Sequence, residues 1–192
     1  MPITTPVWAA FLLLFASFFS KSPTHPIRAE RAQLLAGHAI AQNSKHQPSG
    51  FQLSQALPSL DIPLTGMTGP SWLRGRIVWN PELQLGMYWY PNARPLFGIH
   101  PLQFKYEFAP AGRWTLYGLT GWGGIYSNIE RIETGSDGNF SLVIGGGVRY
   151  AASDRASYVA EYRHHHISNY GNDDQNNGID SQEILFGVSF SL

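Results

Sequence analysis

Residues 183–192, EILFGVSFSL, place a bulky apolar side chain at nearly every second position, with glutamate, glycine and serine between them. Residues 102–108, LQFKYEF, repeat the pattern with Gln, Lys and Glu in the alternate positions. Such rows are typical of β-strands, because successive strand side chains point to opposite faces, whereas a helical apolar stripe recurs every three or four residues. Five further rows of this kind lie at residues 73–79, 83–89, 114–127, 140–150 and 158–168. The sequence therefore predicts an all-β fold.

The connections between these rows alternate in length. Short connections with Pro, Gly or Asp lie at residues 80–82, 109–112 and 153–155, and longer polar ones lie at residues 91–97, 128–139 and 169–179. Short turns at one end and long loops at the other are typical of outer-membrane barrels, which have even strand numbers in bacterial single chains. Since seven rows are visible, we predict an eight-stranded antiparallel up-and-down transmembrane β-barrel whose first strand comes from residues 49–58. A secreted β-sandwich is the alternative fold, because it needs the same alternation.

The composition narrows the classes of function. Charged and aromatic residues each make up 14 % of the chain, and the formal net charge is zero. A neutral chain gives no support to nucleic-acid binding, which needs a basic surface. The chain has no Cys, which excludes disulfides, thiol catalysis and cysteine-based zinc sites. Several charged side chains lie opposite the apolar rows, and in a barrel we expect them to fill the lumen as ion pairs. These are Lys105, Glu107, Arg149, Glu161 and Arg163.

The N-terminal region has the character of a targeting segment. Residues 7–19, VWAAFLLLFASFF, form an apolar run that is too short to span about 30 Å of hydrocarbon as a helix. The length fits a secretory signal, so we expect a signal peptide over residues 1–20, with cleavage there or as late as residue 41. Residues 21–48 are expected to be a leader or disordered segment, with a short helix at residues 27–35 as one option. The barrel is then expected to occupy residues 49–192.

Residues 158–181, YVAEYRHHHISNYGNDDQNNGIDS, carry the chemistry. His166 and Ser168 share one face of a strand and lie one pleat repeat apart, about 6.5–7 Å. The following loop turns the chain back, and Asp180 falls on the face of the last strand that carries its apolar row. Since a serine hydroxyl needs a base to become a nucleophile, and an acid can orient that base, the parity predicts a Ser-His-Asp arrangement at one barrel end.

The same residues resemble a known family. The run His166-Ile167-Ser168-Asn169, followed by Asn176 and by Gly178-Ile179-Asp180, is similar to the motif of the lipid A 3-O-deacylases, the acyloxyacyl-hydrolase-like outer-membrane barrels. That motif is a His-x-Ser-Asn strand end followed by Asn-x-Gly-x-acid, and the steps of two and fourteen residues from the His match. The resemblance is sharp over residues 156–192 and loose over residues 71–155.

The resemblance implies an outer-membrane serine esterase that removes a 3-O-acyl chain from lipid A of lipopolysaccharide in the outer leaflet. It assigns Ser168 as the nucleophile, His166 as the general base and Asp180 as the acid, on the outer wall of the barrel. It implies that Asn169 and the backbone near Gly171 form the oxyanion hole, and that Asn176 positions the acid. It implies no cofactor and no metal. A homodimer is one possible assembly of the barrel.

One position departs from the family pattern. The best-known members have Glu where this chain has Asp180, which is one methylene shorter. Asp173 and Asp174 are the alternative acids.

Three other functions compete with this interpretation. A non-catalytic small barrel with a structural or adhesive role requires no relation among the three site residues. An outer-membrane phospholipase would use the same triad on another ester. A zinc site could use His164 and His166 on one face, with Asp173 or Asp174 as the third ligand.

Overall fold

A computed structural model describes residues 27–41, 52–90, 92–128, 136–169, 171 and 178–192. The strands are β1 Arg31–Ala41, β2 Gln52–Pro63, β3 Gly75–Trp79, β4 Glu82–Tyr90, β5 Arg94–Phe108, β6 Trp114–Ser127, β7 Gly138–Ala151, β8 Ala156–Ser168 and β9 Ile179–Ser191. A short 3-10 helix, Ser71–Leu73, precedes β3. In the described part of the chain, no helix is long and apolar enough to cross a membrane.

The strands close into an antiparallel barrel. Except for β3 and β4, each strand pairs with its neighbour along the chain. Strand β9 closes the cylinder by pairing with β1, from Arg31 opposite Ser191 to Ala41 opposite Ser181. Closure satisfies the backbone groups of every strand edge, which hydrocarbon requires. We call the end where β8 finishes and β9 starts the upper end, and the end that carries the C-terminus the lower end.

The strands β3 and β4 together form one of the eight barrel strands. Both lie between β2 and β5 and run in the same direction. Pro81 interrupts the ladder because it has no backbone N–H, and the Asn80 side chain bonds to Leu60 O and Asp61 Oδ1 at 3.0 and 2.9 Å. The eight-stranded up-and-down barrel is therefore confirmed. The expectation of a turn at residues 80–82 is wrong.

The first barrel strand lies earlier than expected. Strand β1 falls inside residues 21–48, where we expected a leader or disordered segment, and residues 49–58 contribute to the second strand, β2. The sequence signal of β1 is weak because Ala and Gly, which are poor strand formers, occupy both of its faces. Pairing along its whole length with β2 and β9 overrides that weakness. The optional helix at residues 27–35 is likewise excluded over its strand part.

Two other expectations concern one connecting loop and the N-terminal segment. The long loop expected at residues 91–97 is shorter, because β5 begins at Arg94. The predicted signal peptide, residues 1–20, lies outside the described residues.

The lumen is filled by charged and apolar layers. Lys105 lies 3.1 Å from Asp61, and Arg149 lies 2.9 Å from the same carboxylate. Arg163 holds both oxygens of Glu82, at 2.6 and 2.7 Å, and also contacts Glu161. The prediction that these charges fill the lumen as pairs is confirmed. Apolar layers are interleaved with them and contain Leu35, Leu57, Val143, Val159 and Leu185 near the middle, and Leu53, Leu96, Ile125, Ile167 and Ile179 above.

The outer wall is mostly apolar. Large hydrophobic side chains on it stay exposed, among them Leu83, Trp89, Ile99, Trp122, Ile144 and Phe186. A surface of this kind is unstable in water and is matched by hydrocarbon. The strands therefore present a lipid-facing exterior around an interior of alternating charged and apolar layers.

Candidate active site

The alternation of β8 sorts its side chains between lumen and outer wall. Glu161, Arg163, His165 and Ile167 are buried inside, so the even-numbered positions point outward. In the register of β8 with β9, His166 lies directly opposite Asp180. The outward positions of these two strands therefore meet near the upper end.

His166 and Asp180 form a direct contact. Nδ1 of His166 lies 2.8 Å from Oδ1 of Asp180, and the two side chains are 38 % and 33 % exposed. A carboxylate can only accept, so the imidazole proton sits on Nδ1. This leaves Nε2 of His166 to accept a proton, which is the protonation that a general base needs.

Gly178 supports the imidazole from the side. Its φ is +70°, a left-handed conformation that favours glycine. A Cβ at this position would lie 3.0 Å from Cε1 of His166. The turn into β9 therefore comes closer to the ring than any other residue type allows without strain.

Ser168 ends β8 on the same outward face as His166. Both residues line a groove of about 350 Å³ whose other walls include Trp122, Phe140 and Leu142. Within the described ranges, no hydrogen bond joins the Ser168 hydroxyl to His166. The structure thus places serine and histidine on one groove, and their direct bond stays a prediction.

The groove continues across the barrel wall. A larger depression of about 830 Å³ shares Trp122 and Phe140 with it and extends over β6 to β5. Its lining is almost wholly apolar, and Gly124 lies between Ile99 and Phe140 in the strand register. Phe140 in turn pairs with Ser168, so one row of neighbours leads from the serine to β5.

The residues expected at the oxyanion hole are only partly described. Asn169 is fully buried, and its Oδ1 accepts the Gly171 N–H at 2.8 Å. Gly171 has a φ of +83°, so it too takes the left-handed conformation. Its amide is thus engaged by Asn169. Asn176 and the alternative acids Asp173 and Asp174 lie outside the described residues.

The zinc alternative shares its histidines with this site. His164 and His166 converge on one oxygen of Asp180, at 3.4 and 2.8 Å. Within the described ranges, His, Asp and Glu side chains form no cluster of three or more that could hold a metal ion. The third ligands that we considered lie in the loop that is not described.

A second Ser-His-acid arrangement, which the sequence did not predict, lies inside the barrel. Nδ1 of His165 is 2.8 Å from Glu183, and its Nε2 is 2.7 Å from the Ser141 hydroxyl, which also contacts Nε2 of His100 at 2.7 Å. All four side chains are at most 2 % exposed. A substrate ester has no access to a hydroxyl buried in this way, so this network acts in packing the lumen.

Comparisons with known proteins agree with the barrel architecture. The crystal structure of the outer membrane enzyme PagL superposes with a TM-score of 0.61 at 19 % identity, covering 84 % of this chain and 99 % of that one. The crystal structure of Neisserial surface protein A has a TM-score of 0.61 at 16 % identity, covering 88 % of this chain and 100 % of that one. At these identities the likeness shows the fold alone. No curated protein matches the chain.

A family model identifies the chain more directly. The model described as the outer membrane protein beta-barrel domain matches residues 86–191, which is more than half of the chain. The match agrees with the closed antiparallel barrel, its charged lumen and its apolar exterior. The chain belongs to the outer membrane beta-barrel domain family.

Proposed function

We propose that this protein is an outer-membrane serine esterase that removes a 3-O-acyl chain from lipid A of lipopolysaccharide. The observation that carries the proposal is the 2.8 Å contact between His166 and Asp180 on an apolar outer wall. A charge on the lipid face of a barrel costs about 2–4 kcal/mol at the midplane and less near the interface. Ionisable groups retained in such surroundings commonly serve a function.

The surroundings of the pair favour an ester with a long apolar chain. The groove beside Ser168 and its continuation over β6 have almost no polar lining. The site also opens on the outer wall, where lipid is the neighbouring phase. A membrane lipid therefore reaches Ser168 from within its own leaflet, without leaving the hydrocarbon.

In the proposed mechanism, Nε2 of His166 takes the Ser168 hydroxyl proton while Oγ attacks the ester carbonyl carbon. The tetrahedral intermediate collapses to an acyl-enzyme as the ester C–O bond breaks, and His166 gives the proton to the leaving sugar oxygen. Water then attacks the acyl carbon while His166 takes its proton, and His166 returns that proton to Oγ of Ser168 as the fatty acid leaves. Asp180 keeps the proton on Nδ1 and stabilises the imidazolium that forms in each half of the reaction. Asn169 and the backbone near Gly171 stay the predicted oxyanion residues; in this structure Asn169 is fully buried and its Oδ1 accepts the Gly171 N–H.

The proposed orientation follows from the topology. Strand β9 runs from Asp180 at the upper end to the C-terminus at the lower end. If residues 1–20 direct export and the C-terminus stays in the periplasm, the upper end faces the cell exterior. The site then lies in the outer leaflet, where lipid A is found.

The test follows the mass of lipid A after incubation of the purified barrel with lipopolysaccharide. Wild type is expected to release one hydroxyacyl chain, and Ser168→Ala is expected to release none. Ser54→Ala is the matched control, because Ser54 also points outward and contacts a histidine, His38, at 3.3 Å, but lies on β2. It is expected to keep activity.

The same assay separates the alternatives. Cleavage of added phospholipid with intact lipid A would support the phospholipase. Unchanged masses of both lipids with folded wild type would leave the non-catalytic barrel as the function.

A further inference from the structure

The acid of the proposed triad has a second imidazole neighbour. Nε2 of His164 lies 3.4 Å from the same Oδ1 of Asp180 that His166 contacts. His164 is one pleat repeat further from the upper end, and its side chain points to the same outer wall, where it is 42 % exposed. The motif that relates this chain to the lipid A deacylases does not include this position.

The hydrogen bonds around His164 define which of its nitrogens carries the proton. The Tyr162 hydroxyl donates to Oε1 of Gln182, so the other end of that amide is the NH₂ group. This NH₂ group, Nε2 of Gln182, lies 2.9 Å from Nδ1 of His164 and donates to it. A neutral imidazole that accepts at Nδ1 carries its proton on Nε2. The proton of His164 therefore lies on Nε2, the nitrogen that is 3.4 Å from Oδ1 of Asp180.

The two imidazoles thus present opposite tautomers to one carboxylate oxygen. His166 donates a hydrogen bond from Nδ1, and Nε2 of His164 lies 3.4 Å from the same oxygen, at ion-pair distance and without a hydrogen bond. In apolar surroundings, a polar group without a hydrogen-bond partner costs free energy. Each hydrogen bond of the series is therefore kept and limits the movement of the next side chain. The series Tyr162–Gln182–His164 therefore fixes a second imidazole beside the Asp180 oxygen that His166 contacts.

We propose that His164 is a positioning residue that holds the short Asp180 side chain against His166, so that Asp serves where the related deacylases have Glu. The expected effect on deacylation rests on the proposed function, whereas the expected position of Asp180 does not. In this arrangement His164 contacts Gln182 through Nδ1 and Asp180 through Nε2, so it acts on the acid and not on the substrate. Its contribution is the position of the carboxylate.

The first test is kinetic and compares two replacements. His164→Leu removes the donor and puts an apolar side chain on a lipid-facing wall, where the barrel tolerates it. His164→Gln keeps a donor and an acceptor. We expect kcat to fall about 10- to 100-fold in His164→Leu with KM little changed, and His164→Gln to restore most of it. An unchanged kcat in His164→Leu, or a loss that His164→Gln does not restore, would overturn the proposal.

The second test does not depend on activity. Histidine labelled with ¹⁵N distinguishes the two tautomers by NMR in detergent micelles, with signals assigned from single-histidine variants. In wild type we expect His166 to be the Nδ1–H form and His164 the Nε2–H form, and we expect His164→Leu to give a mixture of tautomers at His166. An unchanged His166 signal would count against the role of His164. If wild type left lipid A intact, the proposed function would be wrong. The comparison of the His166 tautomer in wild type and His164→Leu would still show whether His164 positions Asp180.

Discussion

Nδ1 of His166 lies 2.8 Å from Oδ1 of Asp180, across the antiparallel pair of β8 and β9. Residues directly opposite in such a pair have Cβ atoms about 4.5–5.5 Å apart. At that separation a carboxylate on a single methylene reaches the imidazole without a shift of the backbone. The shorter acid of this chain therefore loses no contact with the histidine.

The first prediction concerns the charge of that acid. Asp180→Asn keeps the shape but introduces an NH₂ group, which can donate to Nδ1 of His166 and so makes the wrong tautomer available. We expect kcat to fall about 10³- to 10⁴-fold, as for the equivalent change in a serine protease. Asp180→Glu, which keeps the charge, should retain activity within about tenfold. The measurement is the rate of lipid A deacylation, with the heat-dependent shift in gel mobility as the check of folding.

A fully active Asp180→Asn variant would show that another carboxylate serves His166. Asp173 and Asp174 would then be the residues to change next.

The position of the candidate site could be predicted from sequence because alternate residues of a strand point to the same face. The alternation of β8 and β9 puts His166, Ser168 and Asp180 on one face, and two strands joined by one loop are neighbours in a barrel. The catalytic roles of these residues stay predictions. The bond from Ser168 to His166 depends on side-chain torsions and on the loop after β8, which parity does not determine.

The rest of the fold depends on contacts that no local pattern encodes. Strand β1 has alanine and glycine on both faces and is defined by its two neighbours, one of which lies at the other end of the chain. The lumen network joins His165 to Ser141 and His100, which come from β7 and β5. Which inward groups meet is decided by barrel closure and stagger.

The second prediction separates the two serines that have histidine neighbours. Oγ of Ser141 lies 2.7 Å from Nε2 of both His100 and His165 inside the barrel. Ser141→Ala leaves buried polar atoms without a partner and should lower the free energy of unfolding by about 1–3 kcal/mol. Deacylation by the folded variant should stay within about twofold of wild type, because Ser141 has no role in the proposed chemistry.

Urea titration in micelles measures the first quantity, and lipid A mass measures the second. Loss of activity in a folded Ser141→Ala barrel would place the chemistry in the lumen and refute the surface site.

The third prediction concerns the ion pairs of the lumen. Arg163 holds Glu82 with two bonds, at 2.6 and 2.7 Å, and both side chains are at most 1 % exposed. Arg163→Met leaves buried carboxylates without a partner and should cost about 3–5 kcal/mol of unfolding free energy. Glu30→Gln is the control, because the Glu30 carboxylate is 42 % exposed and pairs with Arg76 at 2.9 Å. Its cost should be under about 1 kcal/mol.

Unfolding in urea, followed by tryptophan fluorescence, compares the two variants. Equal losses would mean that the lumen is hydrated enough to screen the Arg163 pair.

The fourth prediction tests the path of the acyl chain along the outer wall. Gly124 points outward in the larger apolar depression that continues the groove beside Ser168, and a Cβ there would have only the Asn139 backbone oxygen within 4 Å, at 3.7 Å. Gly124→Leu should therefore fold normally and fill the groove. We expect it to slow release of long acyl chains about tenfold or more, since one to three methylenes of lost contact are worth about 1–3 kcal/mol, and to spare short ones.

Gly118→Leu is the matched control for this change. Gly118 also points outward on β6, and a Cβ there would meet only the Gly145 oxygen, at 3.9 Å, but the residue lies outside the groove. The chain lengths of the released fatty acids, measured by mass spectrometry from a mixture of acylated lipids, should match wild type for Gly118→Leu and shift to shorter chains for Gly124→Leu. An identical shift in both variants, or in neither, would mean that the acyl chain leaves Ser168 along a different part of the wall.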